Sequence, residues 1–163
     1  MYDVVRILLI WILCFLSVLL HELGHAMGYR VSGGIAEWKI RAGSGPKILS
    51  TKKFVFCLLP VGGYFDPREE LRTKKGKLVT LAGGPVMSML LTALFCACYF
   101  CFSRFMDPEN ALYIVLFPAF RFLMFFNFFQ FLLTVFPMRY NVVCRGLESD
   151  GLQIVHVLKN KTA

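Results

Sequence analysis

His21-Glu22-Leu23-Gly24-His25 is the stretch whose residue types and spacing point to chemistry. Two histidines four apart on a helix project from nearly the same face, about one turn apart. That separation suits two imidazole nitrogens on one Zn²⁺, and Glu22 between them can reach a metal-bound water as general base. The alternative is a coincidental His/Glu patch on an amphipathic helix end. The motif, however, follows directly on a run of membrane-grade apolar residues. A carboxylate and two imidazoles are costly in lipid, so such groups face a polar interior and have a function.

Two histidines leave a catalytic zinc site incomplete, because three protein ligands plus an open position are the usual count. His156 is the only other histidine and reads as an interfacial residue rather than a ligand. Asp150 is the best third candidate: it follows the last apolar segment and sits beside Gly151, which lets backbone approach closely. A turn or helix-cap aspartate is the competing reading, and spacing alone weighs the two equally.

The elements that must position these residues follow from hydropathy. With 57% hydrophobic residues, seventeen phenylalanines and a mean hydropathy of +0.62, the 163-residue chain is too apolar for an ordinary soluble domain. Three apolar segments, 4–28, 78–102 and 111–136, are each long enough to span a bilayer as a helix. Residues 29–76 are broken by Gly33-Gly34, Gly43-Ser44-Gly45-Pro46 and Gly62-Gly63, with Ile35 to Arg41 and Phe54 to Leu59 as short strands. The expected architecture is an α-helical multi-pass membrane domain over 1–163. It has three transmembrane helices, a short C-terminal helix in the tail 137–163 that Ser149 can cap, and a small membrane-associated β element between helices 1 and 2. Arg121 and Asn127 interrupt the third segment and should face the bundle, the loop or an interface.

Eleven of the eighteen Lys and Arg residues fall between Arg30 and Lys77. Basic clustering beside membrane helices places that segment in the cytoplasm, near anionic lipid. The N-terminus then lies outside a cell membrane, and the tail, the histidine motif and Asp150 lie toward the cytoplasmic face. The net charge of +8 does not point to nucleic acid, since no soluble surface interleaves basic and aromatic residues. The six cysteines read as small buried hydrophobes with no disulfide framework. A cleavable signal peptide is not expected, because the first apolar run leads straight into the histidine motif.

The chain resembles the site-2 protease family of intramembrane zinc metalloproteases, peptidase family M50, in its small form without a PDZ-like insertion. The resemblance rests on His21-Glu22-Leu23-Gly24-His25-Ala26 ending a membrane helix, Gly43-Ser44-Gly45-Pro46, and Leu59-Pro60-Val61-Gly62-Gly63-Tyr64. Ala82-Gly83-Gly84-Pro85 is similar to the family's A-G-P motif, and Phe136-Pro137 with Ser149-Asp150-Gly151 to its N-x-x-P and L-D-G elements. It implies Asp150 as third ligand beside His21 and His25, one Zn²⁺ per chain, Glu22 as base, and cleavage within the bilayer of a small membrane protein or leader peptide. An unwound substrate could pair with an edge strand in the 35–60 region. Gly83-Gly84-Pro85 would break the start of the second span and shape a cavity with Asn127, while Gly62-Gly63 would allow a tight loop over the site; ordinary turn punctuation explains these glycines equally well. Three features depart from the family pattern: Ser88 and Thr134 stand where asparagines are common, and the spacer from Pro137 to Asp150 is long. A catalytically idle relative that binds membrane partners, and a metal-binding membrane sensor or transport component, are the rival readings. Oligomeric state and substrate identity are not encoded in these motifs.

Overall fold

A computed structural model describes residues 2–140 and 146–159. The element order is α1 (Tyr2–Val31), β1 (Trp38–Ser50), β2 (Phe54–Pro67), α2 (Lys74–Phe105), α3 (Ala111–Val135) and α4 (Asp150–Lys159). Helices α1, α2 and α3 are long and apolar enough to cross a membrane. The expected architecture of three spans, a β element after the first and a short C-terminal helix is therefore what the chain adopts.

Membrane helices gain little from burying apolar surface against one another, so close backbone approach and polar contacts hold them together. At the crossing of α1 and α2, a Cβ on Gly24 would strike the Gly83 carbonyl oxygen, and a Cβ on Gly83 would strike that of Gly24. Between α1 and α3, the buried Asn127 amide donates to Ser17 Oγ at 3.1 Å and to the Leu123 carbonyl at 2.8 Å. Cys14, Leu91, Phe95 and Leu123 form the core where the three helices meet. The expectation that Cys14 serves as a small buried hydrophobe holds there.

Two sequence expectations are corrected. Gly83-Gly84-Pro85 does not break the second span: α2 starts at Lys74, capped by Thr73 Oγ1 on the Gly76 amide at 3.1 Å, and runs on through Pro85. Proline removes one helical hydrogen bond, and the flanking turns of this long helix carry the segment across. The strands are also longer than the short runs expected. Residues 38–42 pair with 63–67 on one edge, 40–42 pair with 54–56 on the other, and 47–50 pair with 55–57. Gly43, Gly45 and Gly62 have φ of +85°, +84° and +70°. They bend the strands and let pairing resume beyond them, whereas in the sequence they read as ends. Buried Ile40, Ala42 and Cys57 anchor the sheet.

The stretch after α3 folds back on itself. The Ser149 amide donates to the Met138 carbonyl and the Tyr140 amide to the Leu147 carbonyl, both at 3.0 Å. Ser149 Oγ donates to the Phe136 carbonyl at 2.7 Å and accepts from the amides of Met138 at 3.0 Å and Leu152 at 3.2 Å. Its role as cap of α4 is thus joined to a second one, closing the base of the excursion. Gly151 lies so near the Val135 carbonyl that no side chain fits between them. The long spacer thereby starts and ends at one place, and its residues 141–145 lie outside the described part of the chain.

Candidate metal centre

His21, Glu22 and His25 occupy the inward face near the C-terminal end of α1, and all three are buried. The helical period aligns the histidines, with ring centroids 5.0 Å apart. Each imidazole is held from behind by α2. His25 Nδ1 donates to the Thr80 carbonyl at 2.8 Å, which fixes the tautomer and leaves Nε2 with its lone pair free. His21 Nδ1 pairs with Ser88 Oγ at 2.7 Å.

Both Nε2 atoms converge on Asp150 at the start of α4. His21 Nε2 and His25 Nε2 are each 3.4 Å from Asp150 Oδ2, and the three candidate ligand atoms lie within 4.8 Å of one another. Two imidazole nitrogens and a carboxylate oxygen, with one side open, match the donor set of a catalytic zinc site. The two 3.4 Å nitrogen–oxygen separations equal the edge length of a tetrahedron with metal–ligand bonds of about 2.0–2.1 Å. Room is kept for an ion as well: a Cβ on Gly84 would meet the Nε2 atoms of both histidines. Burial tends to raise the Asp150 carboxyl, but the neighbouring His25 and His21 outweigh it and hold it down at about 2. A carboxylate that stays ionised is the form that binds a cation.

Glu22 points beneath β2. A Cβ on Gly63 would overlap Glu22 Oε1, so glycine lets the strand pass over the carboxylate without displacing it. Phe65 of the same strand stacks on His25, with centroids 6.4 Å apart. A cavity of about 1330 Å³ opens from this point and extends along the aromatic face of α3 past Phe129, Phe125 and Phe122.

The candidate residues sort by position. His21, Glu22, His25, Asp150, Gly62 and Gly63 line the cavity. Gly84 backs the imidazoles, Gly83 serves the α1–α2 crossing, Pro85 is buried in α2, and Asn127 joins α3 to α1 behind the cavity wall. His156, half-exposed, pairs through Nδ1 with Glu148 Oε2 at 3.2 Å and stands apart from the three candidate ligands. Ser88 and Ser149 are the site-supporting residues that motif reading passed over. Ser88 carried one signal, because the family resemblance implies an asparagine at its place. Ser149 was expected only as a helix cap, and its closing of the excursion carried no signal in the sequence.

Residues 9–161 match the family model described as Peptidase family M50. No curated protein matches the chain.

Proposed function

The chain belongs to peptidase family M50, a family of zinc-dependent intramembrane metalloproteases, and from that premise we propose that it hydrolyses a peptide bond in or near the transmembrane segment of a small membrane protein or leader peptide. His21, His25 and Asp150 hold one Zn²⁺, and Glu22 is the general base. The observation that carries the reading is the convergence of His21 Nε2 and His25 Nε2 on Asp150 Oδ2, at 3.4 Å each, from opposite ends of the chain. The basic segment between Arg30 and Lys77 supports an orientation with this site toward the cytoplasmic face and the N-terminus outside.

Zinc at such a site supplies Lewis-acid polarisation of water and of the scissile carbonyl. The chain's own residues do the rest. Thr80 and Ser88 hold the imidazoles by their Nδ1 atoms, so the ligand nitrogens do not swing away. Glu22 takes a proton from the attacking water on its carboxylate and passes it to the departing amide nitrogen. The strand above it keeps bulk water off that carboxylate. A peptide bond within a helix is shielded, so the substrate must unwind locally before attack. Segment 63–67 has a partner on one side only among the described strands, and its residues line the cavity beside Glu22. An unwound substrate strand would add to that edge, which is nearer the site than the 35–60 region first expected to receive it.

Comparing the membrane proteome of cells carrying the wild-type chain with that of cells carrying Glu22→Gln tests the reading. One or more small membrane peptides should accumulate uncut in the variant. An unchanged proteome, with zinc still bound, would leave an idle relative or a metal sensor as the function.

A further inference from the structure

We propose that Arg121 selects the substrate by pairing with an aspartate or glutamate buried in the substrate's transmembrane segment; the inference rests on the protease reading above. Arg121 lies ten residues into α3, which runs from Ala111 to Val135. That is about 15 Å from the helix start at 1.5 Å per residue, farther than its side chain can extend. The guanidinium therefore sits in the middle depth of the span, where an unpaired cation is costly and marks a pathway for substrate or ion.

It lines the same cavity as His21 and Asp150. Among the described residues it has no hydrogen bond or ion pair. Of the other charges outside the metal centre that line the cavity, Asp66 lies on β2 at the far end from Arg121, and the rest are matched. Arg6 pairs with Asp3, Glu70 with Lys77 at 2.6 Å, and Glu148 with Arg139 at 2.9 Å. Phe122, Phe125 and Phe129, on the same helix as Arg121, line the cavity with it. In such apolar surroundings a carboxylate gains far more from a guanidinium than it would in water, and the guanidinium keeps it ionised.

The register predicts where the acid must lie. Helices α1 and α3 run in the same direction, since one crossing, α2, separates them. The Ser17–Asn127 contact sets their relative level. Arg121 is six residues before Asn127 and His21 is four after Ser17, a total of ten residues, or about 15 Å along the axis. The substrate acid should therefore lie roughly ten residues from the cleaved bond if the segment between is helical, and fewer as it unwinds. It lies on the side that corresponds to the α1 N-terminus.

The test uses the full chain reconstituted in phosphatidylcholine bilayers with synthetic single-span peptides. One aspartate is walked through the peptide, with asparagine at the same position as control. Association is read by energy transfer to the Glu22→Gln chain, and cleavage by mass spectrometry with the wild type. At the matching position the aspartate peptide should associate about tenfold more tightly than its asparagine twin, the lower end for a close charge pair. In Arg121→Gln the ratio should fall to near one, and a lysine peptide should be preferred by Arg121→Glu. Equal association of the aspartate and asparagine peptides with the Arg121 chain, or a preference that survives Arg121→Gln, would overturn the inference. So would a preference erased by added phosphatidylglycerol, because a lipid phosphate would then be the occupant of Arg121. An Arg121-dependent preference without any cleavage would support the inference and sink the protease reading. Cleavage without preference would do the reverse.

Discussion

The two halves of the candidate centre reach the same point by different means. The end of α1 delivers His21, Glu22 and His25 through helical period alone, from five consecutive residues. The tail delivers Asp150 through an excursion that leaves α3 at Phe136 and is closed by Ser149, whose side chain joins Phe136, Met138 and Leu152. One half is local and needs only a helix, whereas the other depends on a few hydrogen bonds between residues more than ten apart. The contrast shows how this chain tolerates a long spacer: the depth of Asp150 depends on the base of the excursion rather than on its length.

Removing a ligand from each half gives the largest effects and the plainest test of the comparison. His21→Ala and Asp150→Ala should each lower bound zinc from one per chain to near none and abolish processing, measured by elemental analysis of the purified chain and by peptide cleavage. If zinc persists in Asp150→Ala and is lost in His21→Ala, the tail is no part of the centre and the two halves do not meet functionally.

Gly63→Ala probes the local half without touching a ligand. The new Cβ meets the free end of the Glu22 side chain rather than backbone, so the carboxylate moves and the strand stays. Cleavage should fall by about 10²–10⁴-fold, the usual contribution of a general base, with zinc content and thermal midpoint unchanged. Parallel loss of zinc would show that Glu22 helps to build the metal site as well as serving it. Ser88→Ala should act more mildly. It leaves His21 Nδ1 unpartnered in a buried place, and zinc affinity should weaken by about 10–100-fold, as for other residues that orient a metal ligand. Activity should return as zinc is raised in titration. A defect that excess zinc does not repair would mean Ser88 supports the fold rather than the ligand.

The same contrast explains what the sequence revealed. Spans and motif were legible because hydropathy and the four-residue His spacing are local signals. The lengths of β1 and β2 were not, because Gly43, Gly45 and Gly62 look alike whether they end a strand or bend it. Pro85 misled for a related reason: a proline inside a helix costs one bond, and the length of helix around it decides whether the helix continues. The glycines of the site had equal claims as turn residues and as spacers. What separates them is a neighbour distant in the chain: Glu22 under Gly63, and both imidazoles beside Gly84. Ser88 looked like a departure from the family's pattern, yet its hydroxyl reaches His21 across two helices.

Ser149→Ala has the smallest expected effect and bears most directly on how the tail works. The hydroxyl is buried and serves as helix cap, as acceptor for Met138 and as donor to Phe136. Its removal should lower stability by about 1–3 kcal/mol, the cost of leaving buried partners unsatisfied, read as a lower midpoint in a denaturant titration. The backbone bond from the Ser149 amide to the Met138 carbonyl survives the substitution, so Asp150 should still meet the histidines and zinc stoichiometry should remain one. Zinc affinity should fall less than in Ser88→Ala, because Ser149 touches no ligand side chain. If Ser149→Ala instead loses zinc as completely as Asp150→Ala, the side-chain clamp rather than the backbone pairing holds the carboxylate in register. The tail would then be a single hydrogen-bonded switch rather than a braced hairpin.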